Sequence, residues 1–159
     1  QVTGIEKKFK DYPSKRMVLN LFQSLKLSSV QLIIKSCFLR KNSIQYDELF
    51  GAGSMFKMGE ENILLTDIKR KSGKILYIPE EIAKVHIGKS SWFEGYTEKY
   101  FFDRGAIYSR MFGRTLGTLM SFLFVIRKKN IFKNSIRLKD AFLQMIKGSN
   151  YYAKLQGKR

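Results

Sequence analysis

The order of patterns along residues 30–79 constrains the fold more than any other feature of the chain. A β-branched run at 30–34 follows Ser28-Ser29 and suits a strand, with a short helical turn expected at 35–41. A glycine-bearing loop, Gly51-Ala52-Gly53-Ser54, leads into a helical pattern at 60–72 that Gly73 is expected to close with a left-handed cap. Residues 74–78 then read as a strand ending at Pro79, while the first 27 residues read as a loop or edge segment. Strand, loop, helix and strand in that order mark an α/β protein, not an all-α one.

The C-terminal third is expected to be helical throughout. Leu116, Leu119, Met120, Leu123 and Phe124 keep helical spacing, and so do Leu138, Ala141, Phe142, Met145 and Ile146 before Gly148. The apolar run 116–126 has 11 residues, and as a helix would span roughly 16 Å, about half of a bilayer's hydrocarbon thickness. It cannot cross a membrane unaided. Charge separates this region from the rest: residues 99–159 carry 14 basic and 2 acidic side chains, against 16 and 11 in residues 1–98. Most of the formal +17 therefore lies in the tail. A field of that sign attracts polyanions, whether nucleic acid, anionic lipid or a phosphorylated ligand. The helices themselves fit packing inside the domain, a dimer contact or a membrane surface equally well.

Several side chains could carry chemistry. Glu61, Leu64, Leu65 and Ile68 share one helical face, which sets a carboxylate in an apolar stripe, with Glu60 at its flank. A helix N-terminus or a polar cleft would hold that charge, and plain N-terminal capping is the commoner use of such a pair. Gly51 and Gly53 allow close approach of backbone to a ligand, but no phosphate-loop lysine or third glycine follows them. His86 is the single histidine, expected as a packed strand residue or a metal contact, and Trp92 after Ser90-Ser91 suits either the core or stacking on a sugar. Cys37, alone of its kind, excludes an internal disulfide and is expected to be a buried, inert thiol. No serine-nucleophile motif or base-stacking RNA motif is present.

Taken in order, Tyr46-Asp47-Glu48-Leu49-Phe50-Gly51-Ala52-Gly53-Ser54, Gly59-Glu60-Glu61-Asn62, Tyr77-Ile78-Pro79, His86 and Ser91-Trp92 resemble the C-terminal half of a family 2 glycosyltransferase of the GT-A (Rossmann-like) fold. The matching stretch runs over about residues 28–110. Phe102-Asp103-Arg104-Gly105 and the basic tail resemble bacterial members that build cell-surface polysaccharide. The resemblance implies an acceptor-side GT-A portion over 1–110, followed by basic amphipathic helices over 111–159. It implies Glu61 as the general base of an inverting transfer, with Glu60 as the first acid of the motif. Gly51 and Gly53 would line the acceptor side, Ser91 and Trp92 its rim, and His86 would contact a metal and diphosphate.

The family binds its nucleotide-sugar donor and a divalent metal, Mg or Mn, through an Asp-x-Asp on an N-terminal βαβ portion. The five aspartates here, at 11, 47, 67, 103 and 140, include no two that lie two apart. The 159 residues alone are therefore expected to transfer little or no sugar, and a longer parent to be active. The expected acceptor is a saccharide or a polyprenyl-phosphate-linked glycan at the inner, cytoplasmic face of the membrane. An anionic membrane surface is then a partner, and nucleic acid is the weaker candidate. The competing reading is a non-catalytic basic module for nucleic acid or anionic membrane.

Overall fold

A computed structural model of the chain describes residues 1–5, 10–86 and 93–157. Among the described residues it is a mixed α/β structure, about half helical, with four three-residue strands. Two units divide it: Gln1–Tyr46 with Leu64–Lys89, and Asp47–Ile63 with Ser90–Arg159. The boundary expected at residue 110 falls inside a helix.

In the first unit, strand β1 (Val2–Gly4) runs parallel to β4 (Ala83–Val85), and β2 (Met17–Leu19) runs antiparallel to β3 (Ile75–Tyr77). Each pair is a sheet of two strands. Helix α1 (Leu21–Ser24) opens on a reciprocal cap, in which Asn20 Oδ1 accepts from Gln23 N and Gln23 Oε1 from Asn20 N, both at 2.9 Å. Residues 30–34 correct the expected strand. Ser29–Gln31 is a 3₁₀ turn, and Gln31 Oε1 accepts from both Ser28 N (3.2 Å) and Ser28 Oγ (3.0 Å). That local bonding competes with extended backbone and leaves Ile33 85% exposed. Helix α2 (Ser36–Lys41) follows as expected, but Cys37 is exposed, not buried. Phe38 and Leu39 turn toward the core of this unit, and Cys37 is a third of a turn away from Phe38.

That core is the stripe of helix α3 (Glu60–Arg70): Leu64, Leu65 and Ile68, each under 7% exposed, packed by Leu27, Leu32, Ile34, Phe38, Leu39, Ile44 and Ile75. Burying each such side chain contributes about 1.5–3 kcal/mol. The helix ends in a Schellman motif, with Gly73 N bonding Ile68 O at 2.8 Å and Ser72 N bonding Lys69 O at 3.0 Å. The left-handed residue is Ser72 (φ 58), not Gly73. Gly73 is required for another reason: a Cβ there would meet Ile68 Cγ2 at 2.5 Å and Ile68 O at 2.8 Å. Ser72→Gly is therefore expected to stabilise the unit, by up to about 1 kcal/mol, as a rise in the urea midpoint.

The second unit holds the long helix α4 (Glu98–Phe132) and α5 (Leu138–Gln156). Thr97 caps α4 by accepting from Tyr100 N at 3.2 Å. At Gly113 (φ 76, ψ 172) the helix breaks into arms of residues 98–112 and 114–132. The arms fold back on each other, for the Phe101 and Phe132 rings lie 4.9 Å apart and Gly117 sits against the Tyr108 carbonyl. With α5 they enclose a core of Tyr100, Phe101, Val125, Phe132, Ala141 and Met145. Arg104 links the arms, its guanidinium 4.8 Å from the Tyr100 ring centre and 4.5 Å from that of Phe124. Gly148 lies within α5, where the first arm of α4 crosses closely.

The candidate acceptor loop and its carboxylates

The loop at 47–59 in the second unit is built by its own hydrogen bonds. Asp47 Oδ1 accepts from Leu49 N at 3.2 Å, and Arg110 Nε on α4 donates to Asp47 Oδ2 at 2.9 Å, which ties the start of the loop to the helix. Gly51 N donates to Phe56 O (2.9 Å) and Phe56 N to Leu49 O (3.0 Å), closing the loop on itself. The Phe50 and Phe56 rings stack at 4.8 Å and bury their far side against Tyr152 of α5. Its other end is held by Asp103, 1% exposed, which accepts from Lys57 N at 3.1 Å and pairs with Lys99. A buried carboxylate needs such partners.

With both ends pinned, Gly53 is left exposed at the tip of the loop, while Gly51 is buried. Gly51 (φ 118) and Gly53 (φ 84) adopt left-handed backbone that other residues strain to reach, and nothing crowds the Cβ direction at Gly53. Gly51 lies against the first turn of α3: a Cβ built on it would sit 3.2 Å from Glu60 Cδ and 3.3 Å from Glu60 Oε1. Two of the sequence-selected groups, the glycine loop and the acidic pair, thus meet in one place. Glu61 is next to Glu60 on the same turn and is half-buried, less than its place in the apolar stripe suggests, because the stripe closes only from Leu64 onward.

Burial pushes the Glu60 carboxyl above the ordinary carboxylate value, and the neighbouring Glu61 charge adds to the rise; backbone N–H groups of Glu60 and Gly59 oppose it. The sign of the linkage follows. A carboxyl that holds its proton more tightly when folded makes the protein lose stability as pH rises through the folded value. Glu60→Gln is expected to flatten the stability-against-pH curve just above the usual carboxylate range, read from urea melts at a series of pH values. An unchanged curve would show that Glu60 is not desolvated.

The remaining selected residues stand apart from this loop or outside the described chain. His86 belongs to the first unit, one residue beyond β4, and is exposed, which corrects its reading as a packed strand residue. Ser91 and Trp92 lie outside the described residues. Among the described residues no three His, Cys, Asp or Glu side chains cluster so as to hold a metal ion, so the residues described do not fit the metal that the resemblance implies. The first unit also contains an apolar cavity of about 590 Å³ bounded by Leu32, Ile34, Leu65, Ile75 and Tyr77, and none of the selected residues lines it. Sequence reasoning gave no role to Asp47, Arg110 and Asp103, the groups that position the loop. The four-residue spacing of Lys99 and Asp103 was the one visible signal among them. In comparisons with family models, curated proteins and solved structures, the chain matches none.

Proposed function

We propose that this chain is the acceptor-side portion of a family 2-like glycosyltransferase, which moves a sugar from a nucleotide donor to a saccharide or lipid-linked acceptor with inversion. The observation that carries the reading is the meeting of the Gly51–Gly53 loop with the Glu60-Glu61 turn in the second unit. A sugar hydroxyl is a weak nucleophile, so a carboxylate has to take its proton as the oxygen attacks the anomeric carbon. The new C–O bond forms as the bond to the nucleoside diphosphate breaks, and the diphosphate leaves with the electron pair. Glu61 is assigned as the base. Glu60, tucked under Gly51, and the loop, fixed by Asp47–Arg110 and by Asp103, shape the side from which the acceptor enters. Donor and metal are assigned no residue among those described. The reading places the enzyme at the inner face of the cell membrane, and among the described residues no helix is long and apolar enough to cross it.

The test is acceptor-dependent release of nucleoside diphosphate by the polypeptide that bears this chain. Release that requires a lipid-phosphate or saccharide acceptor supports the reading. A folded polypeptide that binds nucleotide sugars, yet releases no diphosphate with any of these acceptors, overturns it.

A further inference from the structure

The second arm of α4 carries apolar side chains on its outward face as well as on its buried one. Its buried positions are Gly117, Ser121, Val125 and Phe132, while Leu116 (48% exposed), Leu119 (51%), Leu123 (43%) and Ile126 (47%) face away from the core of their unit. At about 100° per residue these four fall within an arc of roughly 80°, opposite the small residues. Phe122, 49% exposed, borders them. Gly117 and Ser121 toward the neighbouring helix with large apolar residues outward is a distribution that suits a hydrocarbon surrounding.

Charge selects the occupant. No Asp or Glu occurs between Asp103 and Asp140, whereas nine Lys or Arg do. Arg127 and Lys133, both exposed, project by helical geometry about 20° beyond either edge of the apolar arc. A second copy of this chain would bring two such positive faces together, and like charges across an interface oppose association. Nucleic acid has no use for the leucine row. We infer that the face of Leu116, Leu119, Leu123 and Ile126 docks on an anionic phospholipid bilayer, its apolar side chains entering the headgroup boundary and Arg127 and Lys133 meeting lipid phosphates. The arm lies in the plane of the interface, as its short apolar run, 116–126, requires. This inference deepens the membrane placement in the transferase reading but uses none of the loop residues, so vesicle binding and diphosphate release can fail separately.

The test is co-sedimentation of the chain with phosphatidylcholine vesicles with and without about one third phosphatidylglycerol, a content that supplies the negative surface potential. Binding to the anionic vesicles alone is expected, weakened about tenfold by each of Leu119→Asp and Leu123→Asp and by the pair Arg127→Glu with Lys133→Glu. These positions are exposed, so circular dichroism should show unchanged helix content. As an independent readout, Leu119→Cys in a Cys37→Ser background carries an environment-sensitive dye, whose emission should shift to the blue on anionic vesicles. Three results would each overturn the inference: no vesicle binding with a concentration-dependent dimer in light scattering; binding to vesicles or duplex DNA that survives both leucine changes; or a dye whose emission does not move.

Discussion

Gly148→Ala is expected to lower the stability of the helical unit by roughly 3–5 kcal/mol, although alanine favours helix over glycine by about 1 kcal/mol. The added Cβ would lie 1.8 Å from the carbonyl oxygen of Phe102, and at Gly105, on the facing arm of α4, it would lie 1.9 Å from that of Met145. Both obstacles are backbone, so no rotamer change relieves them. The helices must separate, and with them the contacts of Phe101, Ala141 and Met145, all fully buried. At 222 nm the thermal midpoint should fall by about 10 °C or more. Gly157→Ala is the control, since the nearest atoms to its Cβ direction are at 3.8 Å, and it should be neutral. A Gly148→Ala protein as stable as the parent would mean that the two helices are not in backbone contact.

The same glycine shows where sequence reading succeeds and where it fails. The stripe Leu64, Leu65, Ile68 was legible because a one-sided helix buries its periodic apolar positions, and they form the core of the first unit. Gly148 stood in the sequence only as the residue after the α5 stripe, and its use is a close crossing fixed by a partner 46 residues away, which no local pattern shows. Residues 30–34 failed for the opposite reason: β-branched composition suggested a strand, but Ser28 and Gln31 offered the backbone a nearer set of bonds. In the second arm of α4 periodicity found a stripe correctly and left its surroundings open, since Leu116 and Leu119 keep the same spacing whether they meet protein or lipid. At the candidate site the glycines and acids were legible from order and type. The anchors Asp47–Arg110 and Asp103–Lys57 were not, because each depends on α4 lying beside a loop that no local pattern connects to it.

The sharpest consequence of the proposed chemistry concerns Glu61. In the polypeptide that bears this chain, Glu61→Gln is expected to reduce turnover by about 10² to 10⁴-fold, the range for loss of a positioned general base, with donor binding unchanged. Glutamine keeps the size of the side chain and cannot take a proton, so the change isolates the chemical role. Glu61 is half-buried, and the fully buried apolar positions of α3 begin after it, at Ile63. The melt should therefore move by no more than about 0.5 kcal/mol. Glu60→Gln is the informative comparison. Its carboxyl lies against Gly51 and is the one desolvated by burial, so that variant should alter the pH dependence of stability while losing far less turnover. If both variants lost turnover equally, the two acids would act as one unit and the assignment of the base to Glu61 would fail. If Glu61→Gln retained turnover, the residue would be a helix cap and nothing more, and the proton would have to go to a group outside the turn.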